Sequence, residues 1–598
     1  MTQDVQARLA ALAAQDGRAP AIHAPDRESM TRGVLRAHID RVRETFGRWG
    51  IARGDIVLAP VFDRPTAMTL YASAPASATL GLLSNSLTAE AYATLIERTH
   101  ARAVLVPQSD DHALAAAARA LGVARIAVTS DATIAGACTL DLIDEGTTAV
   151  GDRNARSRAW AYLHVTSGTT ARPKLVPYGH RQLLAVADAL GALLEVGPAD
   201  VSAVVAPLHL ANGQRTALGM PLLRGASSLC LPEADVDALL AAIRDDRIGF
   251  VSASYAVLRA LLERIGPRGR VRSSRLRFVR IASGALDPPE IEALERALGV
   301  PAVVGLASTE TGVVTHQALP PAPRTAGSIG WPMLAELRVV DDGGHEVAVG
   351  AAGEVQVRGP QLFDGYLDDD ELERGSRADG WFRIGDLARI DPSGEIFLLG
   401  RKTEVVNRGG DKIAPLEVDA ALRSIDGVAD AAAFGVPHPT LGEEIVAAVV
   451  PVAGVRLDAD SIAAIARARL GANRAPRRIW IVESLPRNDA GKVLRRALPT
   501  WVGFEPAGAN RSHADVVADA FSPIQAALAG MWGAIGGDPV SDREARWSSV
   551  GVADPSGALL AMQVQTLFDA VIETGALIDG DPTLAEMAAR IERARTQV

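Results

Sequence analysis

Three stretches of this chain repeat one pattern, an amphipathic helix followed by a short apolar run. ATLIERTHARAVLVPQ (93–108) reads as a helix ending near Thr99 and a buried strand at Ala103–Val106. DALLAAIRDDRIGFVSAS (237–254) and PPEIEALERALGVPAVVGL (288–306) do the same. Apolar residues at a helical period give a helix one buried face, whereas a strand with no polar alternation must be covered on both faces. Alternating helices and such strands predict an α/β protein with largely parallel sheets. After about Ala351 the texture changes. GEVQVRG and LARIDPSGEIFLLG are strands punctuated by Gly and Asp turns, which predicts a β-rich subdomain. From Thr403 to near Leu498 a compact α/β unit follows. GFEPAGANRSHAD (503–515) has the small and turn-forming residues of a linker, and 516–598 reads as a small all-α helical bundle.

Composition removes several classes of function. The 598 residues carry a formal net charge of −10, which argues against a broad nucleic-acid footprint. The only cysteines are Cys138 and Cys230, so neither a disulfide framework nor a cysteine-rich metal site can be built. No apolar run reaches the roughly 18 residues of a membrane span. The N-terminal stretch lacks the basic start and apolar core of a signal peptide. A cytoplasmic location with no membrane partner is the expectation.

HVTSGTTARPKLVPYGH (164–180) concentrates small donors and cations. Tyr162–Val165 reads as a strand entering a loop in which Thr166, Ser167, Gly168, Thr169 and Thr170 precede Arg172 and Lys174. Backbone N–H groups of a glycine-containing turn converge on phosphate oxygens, and hydroxyls and cations add to them. A Walker-type loop would need a second glycine directly before the Lys-Ser/Thr pair, and this loop has none. Four further motifs follow in order: GLASTETG (305–312), GWFRIGDLARID (380–391), GRKTEVVNRGGDKIAPLEVDAAL (400–422) and LPRNDAGKVLRRAL (485–498). Singly, each admits a bland reading. Asp386 could be a turn residue, Glu310 a solvated carboxylate, Arg401 a surface charge and Lys492 a solvated turn lysine, while Arg487, Arg495 and Arg496 read as solvated.

Together the five motifs resemble the adenylate-forming superfamily of acyl-CoA synthetases, luciferases and peptide-synthetase adenylation domains, over roughly residues 10–500. TSGTTARPKLVP, STETGVVTHQALP, AGSIGWP and VNRGGDKIAPLEVD look most like the acyl-CoA synthetases of the oxalate-CoA ligase type. The resemblance implies ATP-dependent activation of a small carboxylic acid to an acyl-adenylate with release of pyrophosphate, then transfer to the thiol of CoA or of a carrier-bound phosphopantetheine. It implies an adenylate-forming domain at 1–402 and a mobile lid domain at 403–502. Thr166, Ser167, Gly168, Thr169, Thr170 and Lys174 would hold the phosphates, with Ser283 and Gly284 in the nucleotide-binding set. Thr309 would touch the α-phosphate, and Glu310 would hold Mg²⁺, a hard cation that prefers oxygen. Asp386 would accept the ribose hydroxyls with Arg401 assisting, and Lys492 would bridge carboxylate and α-phosphate oxygens. Thr403 would be the hinge that swings Gly409 and Gly410 toward the thiol arm. His209, Asn212, Ser283, Val313, Val314 and His316 would line the acyl pocket, with His209 also among the catalytic candidates.

Three positions depart from the family pattern. Ala171 stands where the phosphate loop usually has glycine. Leu306 replaces the tyrosine that stacks on adenine, and Thr403 stands where the hinge is usually Asp or Lys. The pocket helix PLHLANGQRTALG (207–219) lacks the aspartate that would hold an α-ammonium, which disfavours an α-amino acid.

The tail resembles an acyl or peptidyl carrier domain, but Ala558 occupies the serine position that would carry phosphopantetheine, with Ser556 the nearest hydroxyl. The expectation is a degenerate carrier that has lost its attachment serine, with a plain helical bundle and a working carrier on Ser556 as the alternatives. Two alternatives to the acyl-CoA synthetase stand: a nonribosomal peptide synthetase module that loads its own or a separate carrier protein, and a non-catalytic adenylate-binding scaffold.

Overall fold

The apolar runs become strands of two sheets, Ala103–Pro107 and Phe250–Ser254 inside them and Ala302–Val304 at an edge. Ala103–Pro107 lies in a seven-stranded sheet in the order Cys138–Asp144, Ala124–Ser130, Ala103–Pro107, Ile56–Pro60, Thr79–Leu83, Trp160–Thr166, Lys174–Gly179. Its inner pairs are parallel, and the strand at each edge runs antiparallel to its neighbour. The second seven-stranded sheet runs Ala302–Val304, Phe278–Ala282, Phe250–Ser254, Val201–Val204, Ser227–Cys230, Pro20–Ala24, Arg27–Thr31. It is parallel except at the edge strand Arg27–Thr31. This computed structural model describes residues 4–147, 160–166, 173–282, 284, 287–487, 492–504 and 582–595, together with residues 525, 528 and 546.

Helix Ala89–Thr99 shows how local chemistry sets the elements. The Thr88 side chain caps its start by accepting from Ala91 N–H. Tyr92, Leu95, Ile96 and Thr99, at helical spacing, form its buried face. Each large apolar side chain buried there contributes about 1.5–3 kcal/mol. The helix stops where the sequence indicates, and His100 turns the chain through the left-handed region at φ 48°.

The β-rich part begins at Glu336, earlier than the Ala351 expected from the texture. Glu336–Val340, Gly353–Arg358, Trp381–Ile390 and Ile396–Arg401 pair antiparallel, and a short helix, Asp370–Ser376, interrupts them.

By contact the chain divides into two units: Met1–Thr403 with Arg487–Val493, and Glu404–Pro486 with the chain from Leu494. In the second unit, Asp411–Ile413, Val406–Arg408, Gly442–Pro451 and Val428–His438 form an antiparallel sheet, with Ile479–Ile481 parallel to Gly442–Pro451. Helices Pro415–Arg423 and Ala459–Leu470 contribute Val418, Leu422, Ile462 and Ala466 to its core. In the tail, helix Leu584–Arg595 is capped reciprocally. Thr583 N–H donates to Glu586 at 2.9 Å and Glu586 N–H donates to the Thr583 hydroxyl at 3.2 Å. Residues 505–515 of the expected linker, and Ser556 and Ala558, lie outside the described residues.

Candidate active site

Strands Trp160–Thr166 and Lys174–Gly179 form the two arms of the phosphate-loop hairpin, and Thr166 is the register partner of Lys174. The two arms therefore deliver a hydroxyl and an ammonium to the mouth of the loop. Ser167, Gly168, Thr169 and Thr170 lie outside the described residues. Lys174 Nζ stands 3.9 Å from Glu310 Oε1 and 5.3 Å from the centroid of the Tyr366 ring.

Glu310 and Thr309 occupy the tip of a two-strand turn in which Ala307 pairs with Val313 and Ser308 with Gly312. Gly312 has φ +64°, and a Cβ there would lie 2.7 Å from the Tyr178 hydroxyl, so both backbone and space call for glycine. The turn is clamped from several sides. Arg215 Nη2 donates to the Thr309 carbonyl at 2.6 Å, and Phe363 N–H donates to the Glu310 carbonyl at 2.9 Å. The Glu310 carboxylate accepts from the Ser308 hydroxyl at 3.1 Å and from the Tyr366 hydroxyl at 2.9 Å. Burial, and then the Glu310 charge, pushes the Tyr366 phenol well above its ordinary value, so it stays a donor. A single carboxylate so oriented fits Mg²⁺, which takes one or two protein carboxylates and completes its shell with phosphate and water oxygens. Leu306 donates its N–H to the Thr315 hydroxyl at 3.0 Å and packs against the core, offering apolar area without an aromatic face.

Asp386 is not in a turn, as IGDL suggested, but in strand Trp381–Ile390. The glycine signal comes from an irregularity within the strand. Gly385 has φ +78°, and the pairing with Ile396–Arg401 shifts between Leu387 and Ala388. Such irregularities re-aim side chains. Asp386 is 4% exposed, and Arg401, its register partner, places Nε 3.0 Å from Asp386 Oδ1. Arg401 Nη1 also donates to the Ile384 carbonyl at 3.1 Å.

Asn212 and His316, two of the acyl-pocket candidates, are joined through Arg280 beside the π-helical segment Gly213–Gly219, a geometry often found at functional sites. His209 is half-buried in the turn that precedes it. Asn212 Oδ1 accepts from the Thr216 hydroxyl at 2.7 Å and from Arg280 Nη1 at 3.1 Å. His316 Nδ1 lies 2.6 Å from the Gln317 carbonyl, which fixes the proton there and leaves Nε2 to accept from Arg280 Nε at 3.1 Å. Burial, then the Arg280 charge, pulls the His316 pKa down to about 3, so the ring is neutral. Val313 and Val314 are fully packed into the core. Ser283 lies outside the described residues. Gly284 brings backbone against a ring, since a Cβ there would lie 2.3 Å from Tyr255 Cδ1.

Sequence reasoning missed Arg215, Tyr366 and Arg280. A signal existed for Arg280, a lone arginine inside the apolar strand FVRIA (278–282). Arg215 lies within the quoted GQRTALG, but nothing local marks the Thr309 carbonyl, 94 residues away, as its partner.

Gly409 and Gly410 form the two-residue turn between Val406–Arg408 and Asp411–Ile413, with φ 59° and 97°. Two positive φ values are what a tight hairpin demands, and this turn requires glycine for that reason. Lys492 is half-buried in the segment Arg487–Val493, which the first unit takes in, and Arg487 pairs with Val493 by a strand bridge. Thr403 is the last residue of the first unit before the second begins.

Two arginines expected to be solvated are not. Arg487 donates to the Tyr255 hydroxyl and lies 5.6 Å from the centroid of its ring. Arg495 is buried and donates to Asp419 Oδ2 at 2.8 Å, to Glu404 Oε2 at 3.1 Å and to the Ala433 carbonyl. Arg496 is exposed, as expected.

Comparison with known proteins agrees with this geometry. The family model of AMP-binding enzymes matches residues 9–367, and that of the AMP-binding enzyme C-terminal domain matches residues 417–492. A probable CoA ligase of Humulus lupulus is 30% identical over 483 residues, covering 78% of this chain and 90% of that protein. The oxalate–CoA ligase of Arabidopsis thaliana is 30% identical over 458 residues, covering 75% and 88%. The ATP-bound crystal structure of MatB from Rhodopseudomonas palustris superposes with a TM-score of 0.73 at 25% identity, covering 84% of this chain and all of that one. The chain belongs to the AMP-binding enzymes. Its reaction is ATP-dependent activation of a carboxylic acid and transfer to a thiol, and neither the peptide-synthetase nor the scaffold alternative is favoured. Among the described residues, no helix is long and apolar enough to cross a membrane.

Proposed function

We propose that the chain is an AMP-forming acyl-CoA synthetase for a short polar acid, with CoA as the thiol acceptor. The observation that carries this reading is the convergence of Lys174 and Glu310, 3.9 Å apart, beside the turn that presents Thr309. A cation for phosphate oxygens and a carboxylate for a hard cation share one position, as a triphosphate requires. The relatives, named as CoA ligases, support the acceptor.

In this reading Thr166, Lys174 and the intervening loop hold the phosphates. Asp386, kept in place by Arg401, accepts the ribose hydroxyls. Glu310 holds Mg²⁺, which when bound offsets charge on the triphosphate. Thr309 contacts the α-phosphate, and Lys492 supplies positive charge where the acid's carboxylate meets it. Carboxylate and triphosphate repel, so most of the catalysis is positioning and fixed charge. His209 and Asn212 face the acid. Thr403 acts as the hinge between half-reactions, after which the Gly409–Gly410 hairpin serves the thiol.

The test is pyrophosphate release from ATP over a panel of carboxylic acids, with and without CoA, read alongside acyl-CoA by mass spectrometry. The expected result is slow or single-turnover release without CoA, and continuous release with equimolar acyl-CoA when CoA is present. Release with no acyl-CoA would assign the acceptor to a carrier thiol, and no release with any acid would contradict the reading outright.

A further inference from the structure

Arg280 is 1% exposed, in the middle of strand Phe278–Ala282, among side chains that are otherwise apolar. Its hydrogen-bond partners are all neutral. Nε donates to His316 Nε2 at 3.1 Å, and Nη1 donates to Ser252 Oγ at 3.0 Å, Asn212 Oδ1 at 3.1 Å and Thr216 Oγ1 at 3.3 Å. Among the described residues, no carboxylate pairs with it and no acceptor meets Nη2. Other buried arginines are compensated: Arg125 by Asp110, Arg495 by Asp419. Arg215, also buried, lies instead 4.2 Å from the Tyr178 ring centroid and bonds the Thr309 carbonyl.

A guanidinium deep in a protein ordinarily requires a paired anion. Arg280 does not escape by losing its proton, since burial brings its pKa only to about 10. His316 cannot compensate, being neutral with its single proton committed to the Gln317 carbonyl. Among the described residues nothing supplies the counter-charge, which leaves a bound anion to supply it. The position suits one source. Asn212 and His316 are acyl-pocket candidates, and a Cβ at Gly305 would lie 2.6 Å from His316 Cδ2, so the chain leading to Thr309 and Glu310 runs against this cluster. Consecutive residues of the π-helical segment link the two places: Arg215 bonds the Thr309 carbonyl, and Thr216 accepts from Arg280.

We infer that Arg280 determines specificity for a short acid that carries a second anionic group, carboxylate or sulfonate, which the guanidinium receives through Nη2 while the first carboxylate is activated. This rests on the acid-activating reading above and deepens it. It also makes Asn212 and His316 positioning residues that aim the guanidinium.

The test compares acids matched in length: malonate and sulfoacetate each against propionate, and succinate against butyrate, by kcat/KM for pyrophosphate release. The unaltered protein should favour the doubly anionic member of at least one pair by on the order of 10²-fold. Arg280→Met should bring that ratio close to one, and Arg280→Lys, which keeps charge but loses the fork, should restore part of it. Preference for the singly charged acid in every pair overturns the inference alone, and needs no variant to fold. Equal loss on both members in Arg280→Met also overturns it, by making the arginine structural. No release with any acid defeats the acid-activating reading, and this inference with it.

Discussion

Arg495 in the second unit and Arg280 in the first are both buried, and their surroundings differ in kind. Arg495 meets two carboxylates, Asp419 Oδ2 at 2.8 Å and Glu404 Oε2 at 3.1 Å, and a backbone carbonyl, so its charge is settled inside the fold. Arg280 meets only neutral acceptors, Ser252, Asn212, Thr216 and His316. A closed network stabilises against its own rupture. An open one carries a desolvation cost that the protein retains only where a ligand completes it. The contrast separates a region organised for holding itself together from one organised for receiving an anion.

The largest expected effect breaks the closed network. Arg495→Met takes the 2.8 Å partner from Asp419, 2% exposed, and leaves it only Arg423 Nη1 at 3.9 Å and the Ala433 N–H, so the substitution should destabilise the second unit by up to about 3–5 kcal/mol. Peptide-resolved hydrogen exchange should show faster exchange across Pro415–Arg423 and Val428–His438, with little change in the first unit. Acid should then separate the regions by proton uptake. His38, with a pKa of about 4, His316, at about 3, and His164, well below its ordinary value, are held neutral chiefly by burial in the first unit. Each folded value is depressed, so the associated stability is intact above the unfolded pKa near 6.5 and declines as pH falls toward the folded one. The slope is about 1.4 kcal/mol per pH unit for each such group. His438 in the second unit is not buried. Urea unfolding between pH 7 and 5 should show the first unit weakening first; equal weakening would contradict the burial of these rings. The smallest effect sharpens the other side of the comparison. Arg280→Met removes an unpaired charge rather than half of a pair, so the midpoint of unfolding without ligand should move by no more than about 1 kcal/mol. A loss comparable to that of Arg495→Met would mean that Arg280 is compensated within the fold.

What the sequence made legible follows from the range of the interactions concerned. The alternating layers were readable because buried parallel strands are continuous apolar runs and helix faces repeat locally, as at Tyr92, Leu95 and Ile96. The Gly409–Gly410 pair likewise carries its own turn chemistry. Asp386 admits a turn reading because glycine before aspartate looks alike in a turn and in a strand irregularity. Arg495 and Arg280 were not legible as buried charges. Their partners lie far along the chain, 76 residues to Asp419, 91 to Glu404 and 68 to Asn212, and no local pattern encodes such a meeting.

The central claim is that one set of charges serves acid activation and another arrangement serves thiol transfer. Lys492→Ala tests it by separating the half-reactions. Loss of a charge aimed at the reacting oxygens should slow adenylate formation by on the order of 10²–10³, as for lost oxyanion donors. Conversion of pre-made acyl-adenylate and CoA to thioester should proceed at the unaltered rate, with the same unfolding midpoint. Equal loss in both half-reactions, in a variant that folds normally, would contradict the account.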